Sequence, residues 1–229
     1  MSRRLPGSAG ALLLAAGLGG CGGASPGNGV DAKPADAILA ASKQAADTAS
    51  SVHVAGSIAL SGGTTTFDLN LARGRGARGR LVANGISYDL IRVGSSIYVK
   101  GSRAFYRHFT GAAAQLFNGK WLKGRTTSGV LAGIGPLTDL PGFVDRALSQ
   151  PNLKLTKGAR LTVAGQQVVE LQDPRGGTLS VATTGEPYPV RIAVTGGSGQ
   201  TTTFDRWNAG VALSAPVGSV DIDRLRSAR

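Results

Sequence analysis

Two glycine-rich patterns in this sequence are typical of active sites, so the chemistry that each would perform is considered first. Gly74–Gly79, "GRGARG", matches G-x-G-x-x-G, in which backbone N–H groups hold a dinucleotide pyrophosphate. That site needs a strand before it, a helix after it and an acidic residue about twenty residues later. Here a β-like segment follows, and the nearest downstream acid is Asp89. Gly23–Gly27, "GASPG", matches the G-x-S-x-G elbow of serine hydrolases but has no flanking strand or helix pattern. We interpret both matches as coincidental.

The other reactive residue types do not form a catalytic or metal-binding pattern. His53 and His108 lie in unrelated contexts, a predicted strand and an aromatic-rich loop, and no H-x-x-x-H spacing or Cys/His cluster occurs. The 13 acidic residues are scattered, and Asp221 and Asp223 are expected to face solvent. The sequence therefore predicts a protein that is not an enzyme and that uses no metal and no cofactor.

The only cysteine, Cys21, follows a segment with the layout of an export signal. Arg3 and Arg4 precede an apolar stretch, Ala9–Leu18, of about ten residues, which is too short to span roughly 30 Å of hydrocarbon. Leu18–Cys21, "LGGC", resembles the bacterial lipobox, in which the Cys thiol receives a diacylglyceryl group and becomes the new N-terminus. We therefore predict that Cys21 is lipidated; an ordinary secretory signal with a coincidental Cys is the alternative.

These features divide the chain into three predicted parts. Residues 1–20 form a lipoprotein signal peptide, residues 21–33 the lipidated Cys and a flexible tether, and residues 34–229 a single folded domain. Removal of the signal peptide lowers the net charge from +12 to +10, because that segment holds two arginines and no acid. For a basic exported protein we expect anionic lipid head groups or cell-wall polymers as partners, and no nucleic acid. The predicted location is the extracytoplasmic face of the cell membrane, held by the lipid anchor.

The predicted domain begins with one helix and continues mainly as strands. Apolar residues recur at helical spacing over Pro34–Ser50, and from Ser51 the period changes to two. About ten short antiparallel strands follow, separated by Gly-rich or Asn-Gly turns. Residues 104–117 predict a short helix or folded loop. Within residues 136–151 a further helix is predicted, with Asp139 and Pro141 suited to its start and Pro151 beyond its end. We therefore predict an α+β fold with one large antiparallel sheet whose apolar face is covered by two or three helices.

Several segments of the sequence, in their order along the chain, resemble those of a known family. The lipobox, the tether and the Ala-rich helix are followed by "SSVHVAGSIAL", "GKWLKGR" and "FDRWNAGVALSAPVGSVDI". This order is similar to that of the LppX/LprG-type lipoproteins of actinobacteria, which share a fold with the carriers LolA and LolB. The resemblance covers Lys33–Asp223. It implies a curved, half-open antiparallel barrel with helices on its concave face and an apolar cavity between them. Members of the family bind acyl chains of lipids or glycolipids there, for envelope lipid transport or presentation.

The function that we predict is therefore capture of lipid acyl chains by a monomeric, membrane-anchored lipoprotein, with a membrane transporter as a candidate partner. The predicted cavity lining comes from the sheet and from the later helix. The sheet residues are Ile58, Leu60, Phe67, Leu69, Ile97 and Val99, and the helix residues are Leu140, Val144 and Leu148. Three aromatic residues are predicted either to close the cavity mouth or contact the membrane, or to pack as ordinary core: Phe105, Tyr106 and Phe109. Four arginines are predicted either to contact anionic head groups or to form a solvated hairpin loop: Arg73, Arg75, Arg78 and Arg80.

The alternative function is an envelope interaction or signalling module of the same fold. In that hypothesis the domain has a filled core, and its basic surface docks to cell-wall polymers or to a partner protein. The volume of the cavity distinguishes the two hypotheses, because only a carrier needs space for an acyl chain.

Overall fold

The computed structural model describes residues 26–60, 63–127, 131–148, 154–194 and 200–227. In this part of the chain, twelve strands form one sheet and five α-helices pack around it. The strands are β1 (Ser51–Leu60), β2 (Gly63–Ala72), β3 (Gly76–Ala83), β4 (Ile86–Val93), β5 (Ser96–Gly101), β6 (Leu122–Arg125), β7 (Thr156–Val163), β8 (Gln166–Gln172), β9 (Gly177–Ala182), β10 (Pro189–Val194), β11 (Gln200–Asp205) and β12 (Val220–Asp221). The helices are α1 (Ala35–Thr48), α2 (Arg103–Thr110), α3 (Ala114–Phe117), α4 (Leu140–Leu148) and α5 (Ile222–Ser227).

The strands lie in the order β12-β6-β5-β4-β3-β2-β1-β11-β10-β9-β8-β7. Every neighbouring pair is antiparallel except β12 and β6, which run parallel. Most connections are therefore tight hairpins, as the Gly-rich and Asn-Gly turns predict. The predicted α+β architecture, one large and mostly antiparallel sheet with a few helices, is confirmed.

One face of the sheet, here called the helix-covered face, is buried beneath α1 and α4. Side chains alternate along each strand, so β2 places Phe67 and Leu69 on this face and Asp68 on the other, outer face. The ring of Phe143 in α4 lies edge-on to Phe67 at 5.6 Å and to Phe204 of β11 at 6.2 Å. These aromatic contacts fix α4 across the middle of the sheet.

The strand register shows which turns lie together at each of the two ends of the sheet. The turns β1–β2, β3–β4 and β10–β11 lie at one end, here called the upper end. The turns β2–β3, β4–β5 and β9–β10 lie at the other, the lower end. Helices α2 and α3 connect β5 to β6 and therefore lie toward the upper end.

The segment before α1 is bound to the sheet over much of the range predicted as a flexible tether, residues 21–33. Gly27 forms a β-bridge with Thr184 in the β9–β10 turn. The side-chain amide of Asn28 donates to two carbonyl oxygens around that turn, at 3.1 and 2.9 Å. Val30 is buried in the core at 2% exposure. Backbone and amide hydrogen bonds therefore hold this part of the predicted tether, which composition alone does not reveal.

The predicted later helix begins where Asp139 and Pro141 indicate its start, and Leu137 lies before it. A 3-10 stretch, Ala132–Thr138, comes first, and α4 begins at Leu140. Asp139 marks the break, because its carboxylate accepts the backbone N–H of Gly142 at 3.1 Å in the manner of an N-cap.

Candidate ligand cavity

Two adjoining cavities lie between the helix-covered face and the helices α1 and α4. The first has a volume of about 260 Å³ and the second about 170 Å³. Both are lined by Ala147, Ile192 and Val194, so they form neighbouring compartments along α4. The first is completed by Leu39, Leu148, Leu155, Asp173, Arg175, Gly177, Thr178 and Leu179. The second is completed by Ser57, Ile58, Pro136, Leu137, Phe143, Arg146, Gln200 and Thr202.

Among the described residues that line the cavities, the apolar side chains are aliphatic or small except that of Phe143. Toward β2 and β4 the interior is filled by rings, including Phe67, Tyr88 and Phe105. Around β9 and β10 the interior is lined instead by Leu179, Ile192 and the small Ala147. Aliphatic side chains cover less space than rings, so this half of the interior is not closed by packing.

A charged pair lies at the rim of the first cavity. The guanidinium of Arg175 donates from Nε to the two carboxylate oxygens of Asp173, at 3.2 and 3.0 Å, and its Nη2 lies 2.9 Å from Oδ2. These side-chain hydrogen bonds, together with the backbone N–H of Arg175, lower the pKa of Asp173 below its usual range. The second cavity has the exposed Arg146 at its rim. Each compartment therefore combines an apolar interior with a charged opening.

The cavity lining is suited to binding rather than to catalysis. Among the described residues that line it, the ionisable side chains are Asp173, Arg175 and Arg146. An acid already held by an arginine is a poor general base, and the lining presents no Cys or His nucleophile. What the arrangement can do is remove an apolar chain from water while a polar head group stays at the rim.

Two of the predicted lining residues reach the cavities. Ile58 lines the second cavity and Leu148 the first. Six others are at most 4% exposed and belong to the packed core: Phe67, Leu69, Ile97, Val99, Leu140 and Val144. The side chain of Leu60 lies outside the described part of the structure.

Seven large apolar lining residues were absent from the sequence prediction: Leu39, Leu137, Phe143, Leu155, Leu179, Ile192 and Val194. A signal for some of them exists. Leu39 belongs to the apolar face of the predicted first helix, and Ile192 and Val194 alternate with polar or small residues in a predicted strand. These patterns indicate burial, but they do not tell which part of a buried face is left unfilled.

Two of the three aromatic residues predicted at the cavity mouth or membrane, or else as ordinary core, are core residues in the structure. Phe105 and Tyr106 have 0% exposure. The ring of Phe105 lies 5.2 Å from that of Tyr88 in β4, and the hydroxyl of Tyr106 donates to the carbonyl oxygen of Lys120 at 2.6 Å. Burial raises the pKa of Tyr106 and of Tyr88. These contacts hold α2 against the sheet, so the two rings are not available at the surface. The side chain of Phe109 lies outside the described residues.

The four predicted head-group arginines are absent from the lining of these two cavities and have separate partners. Arg73 donates to the carbonyl oxygens of Ala49 and Ala46, at 2.7 and 2.9 Å, at the C-terminal end of α1. Arg75 donates to a backbone carbonyl at 3.1 Å. Hydrogen bonding to Asp89 raises the pKa of Arg80, whose guanidinium lies 2.9 Å from that carboxylate.

A third cavity, of about 550 Å³, lies on the outer face. Arg78 and Arg80 line it together with Trp121, and the lining also includes Asp68 and Asp89. The Nη1 of Arg78 lies 3.5 Å from the carbonyl oxygen of Ala212. The "GRGARG" pattern thus belongs partly to strand β3 and borders a polar surface cavity, with no helix following it.

The structure also brings together three titratable residues that are distant in sequence. On the outer face, His53 lies between two carboxylates, with Nδ1 2.5 Å from Asp205 and Nε2 3.0 Å from Asp68. Both ring nitrogens face a carboxylate, so neither is free to coordinate a metal. Within the described ranges, no group of three His, Cys, Asp or Glu side chains is arranged to hold a metal ion.

Cys21, the predicted lipidation site, lies outside the described residues. Across the part that the structure describes, no helix is both long and apolar enough to cross a membrane.

Comparison with known proteins gives matches to solved structures alone. No family model matches the chain, and no curated protein matches it. Among solved structures it is similar to LprF from Mycobacterium bovis, with 15% identity and a TM-score of 0.49 over 85% of this chain and 100% of that one. It is also similar to the lipoprotein LppX from Mycobacterium tuberculosis, with 18% identity and a TM-score of 0.48 over 78% of this chain and 99% of that one.

Proposed function

We propose that this protein is a lipid-anchored envelope lipoprotein that binds lipid acyl chains between the sheet and the helices α1 and α4. The observation that supports this function best is the pair of adjoining cavities, which have a mostly apolar interior and a charged rim. The lining contains the features of a lipid site: apolar walls for a chain, and polar groups at the opening for a head group.

The size of the cavities favours a small apolar ligand. Pockets for small molecules range from roughly 300 to 1,000 Å³. The compartments of about 260 and 170 Å³ are each smaller than that range. Burying about 200 Å² of apolar ligand surface contributes about 5 kcal/mol at roughly 25 cal/mol per Å². Part of this gain offsets the loss of ligand freedom, which leaves an affinity that permits release. Capture and release of one acyl chain is the activity that we propose.

Anchoring is assigned to Cys21. A diacylglyceryl group on its thiol, and a further acyl chain on its amino group, would hold the protein at the membrane because two chains anchor stably where one does not. In this proposal residues 1–20 are removed during export, and the protein acts as a monomer on the extracytoplasmic face of the membrane. The folded domain then includes residues 26–33, because these are already bound to the sheet.

Native mass spectrometry of residues 22–229, purified without detergent, tests the ligand. We expect a discrete mass excess that disappears after solvent extraction, with lipid recovered in the extract. If the protein keeps its bare mass after purification and after incubation with envelope lipids, the carrier function is excluded. Mass analysis of the full-length gene product expressed in a lipoprotein-processing host tests the anchor separately, through cleavage before Cys21 and added acyl mass.

A second candidate function is supported by the outer-face cavity. Arg80 is paired with Asp89, but Arg78 bonds only a backbone carbonyl among the described contacts and lines the same cavity as Trp121. A guanidinium and an indole in one lining suit an anionic polymer that also offers a flat surface for stacking. Binding of anionic cell-wall polymer to a Trp207→Phe variant can be followed through the fluorescence of Trp121. A saturable change that Arg78→Gln weakens would support this docking function, and no change on addition of polymer would exclude it.

A further inference from the structure

The ligand cavities and the attachment of the N-terminal segment lie at opposite ends of the same two strands. The first cavity is lined by Gly177 at the start of β9 and by Val194 at the end of β10, which pair in the register. Gly27 forms its bridge with Thr184, beyond the other end of β9. At about 3.3 Å per residue, the seven residues from Gly177 to Thr184 extend over about 23 Å.

The openings of the cavities belong to the upper end. The charged rim residue Arg175 lies in the turn between β8 and β9, which is at that end, and Val194 there is 41% exposed. The second cavity is lined from β1 and β11 by Ser57, Ile58 and Gln200, again from the upper parts of these strands.

The N-terminal segment enters at the lower end and runs upward. After its bridge at Gly27, the backbone carbonyls of Asp31 and Lys33 accept from Nζ of Lys157, at 3.2 and 3.3 Å. Lys157 is near the start of β7, which pairs with the end of β8 at the upper end. Cys21 is six residues before Gly27, so their Cα atoms are separated by at most about 21 Å. An acylated Cys21 therefore keeps the lower end close to its membrane.

The upper end also presents a basic surface with an exposed apolar side chain. No acidic residue occurs between Asp89 and Asp139 in the sequence. From this stretch, α2 exposes Arg103 and Arg107, and Leu116 in α3 is 70% exposed. Cationic side chains beside an exposed leucine are typical of helices that lie on anionic lipid surfaces.

We infer that the anchored protein points its cavity openings away from its own membrane and docks its upper end on a second, anionic lipid surface to exchange the ligand. This inference rests on the proposed anchor and cavity. It assigns exchange to a surface opposite the anchoring bilayer, with Arg103, Arg107 and Leu116 as the contact.

Site-specific labels test the orientation. Once Cys21 is acylated, an introduced cysteine is the only free thiol, so Glu186→Cys at the lower end and Gln115→Cys at the upper end each take one fluorophore. The acylated variants are placed in vesicles whose lipids carry a quencher. We expect quenching of the label at residue 186 and little quenching at residue 115. Equal quenching of both labels, quenching of neither, or the reverse order would overturn the inference.

Vesicle bridging tests the second surface. Acylated protein in phosphatidylcholine vesicles is mixed with protein-free vesicles that contain either phosphatidylglycerol or phosphatidylcholine alone. We expect bridging to the anionic vesicles only, lost at high salt, and reduced at least about fivefold by Arg103→Glu or Arg107→Glu. Arg125→Glu is the matched control, because this exposed arginine lies at the lower end of β6. Equal bridging to both vesicle types, or equal effects of Arg107→Glu and Arg125→Glu, would overturn the inference.

Failure of this inference can be distinguished from failure of the proposed function. Co-flotation and the acylated mass establish the anchor before either experiment, and native mass spectrometry establishes the ligand. A protein that is anchored and lipid-loaded but does not bridge vesicles contradicts this inference alone. If anionic vesicles are not bridged while an acidic protein binds the upper end, the partner is a protein and the lipid surface is excluded.

Discussion

Arg175 holds Asp173 through both carboxylate oxygens at the rim of the first cavity, with N–O distances of 2.9 to 3.2 Å. The two side chains are two positions apart in the turn between β8 and β9, and the backbone N–H of Arg175 also donates to the carboxylate at 3.0 Å. A short turn thus places a fixed ion pair at the rim of the first cavity, where the proposed ligand would have its head group.

The first prediction concerns the pH dependence of this pair. The hydrogen bonds from Arg175 lower the folded-state pKa of Asp173. The contribution of the pair to stability is therefore present above the unfolded pKa of about 3.9 and is lost as the pH falls through the folded value. We expect Arg175→Gln to raise the pKa of Asp173 toward its usual value, measured by NMR titration. An unchanged pKa in that variant would contradict the assignment.

The second prediction concerns ligand capacity. Ala147 lines both cavities, so Ala147→Phe should fill the space that they share. We expect the variant to retain its fold by circular dichroism but to lose most of the bound lipid mass in native mass spectrometry. Ala40→Phe, on the exposed side of α1, is the matched control and should keep the lipid. Equal lipid retention in both variants would place the ligand elsewhere.

The third prediction concerns two buried serines. The hydroxyl of Ser42 in α1 is fully buried and has no hydrogen-bond partner in the described structure. Ser51, 2% exposed, donates to the carbonyl oxygen of Ala209 at 2.5 Å. Ser42→Ala should therefore raise the free energy of unfolding by up to about 1 kcal/mol, whereas Ser51→Ala should lower it by about 1 kcal/mol or more. Chemical denaturation measures both, and the same sign for the two changes would be evidence against this difference in hydrogen bonding.

The fourth prediction concerns Arg73, which is a structural residue in this fold. Its guanidinium satisfies carbonyl oxygens at the C-terminus of α1, where a positive charge also interacts favourably with the helix dipole. We expect Arg73→Gln to lower the free energy of unfolding by about 1 to 2 kcal/mol. Arg75→Gln, which removes one exposed hydrogen bond, should cost less. Thermal denaturation compares the two variants, and an equal or larger loss in the second would refute the capping role.

The fifth prediction concerns the last glycine of "GRGARG". Gly79 lies in β3 at φ +156°, and a methyl group there would overlap the backbone carbonyl of Asp68 in the neighbouring strand. We expect Gly79→Ala to lower the free energy of unfolding by about 1 to 3 kcal/mol. Gly133→Ala, where a methyl group meets open space, should be nearly neutral. Comparable denaturation midpoints for both variants would argue against this close approach of strands.

Local patterns in the sequence were sufficient for most of the secondary structure. The helical spacing over residues 34–50 corresponds to α1, and the period of two with its glycine turns corresponds to the strands of one sheet. The boundary of the tether was harder to predict, because Gly27 and Asn28 are held by a turn more than 150 residues away. The order of residues in a segment shows whether it has apolar periodicity. It does not show whether a turn far away in the sequence will form hydrogen bonds with that segment.

The sequence by itself determined the alternation of apolar residues, the turns and the excess of basic charge, because each depends on neighbouring residues or on composition alone. Only the tertiary structure decided which buried residues border a cavity. Leu69 and Ile192 are both apolar residues that alternate along a strand. Leu69 is fully buried in the packed core, whereas Ile192 is partly buried and lines both cavities. The difference arises from the side chains packed against each strand: rings such as Phe67, Tyr88 and Phe105 fill the interior toward β2 and β4, whereas the small Ala147 of α4 lines the space beside Ile192. The relative position of the cavity openings and the N-terminal attachment was likewise set by strand register, which couples residues far apart in the chain.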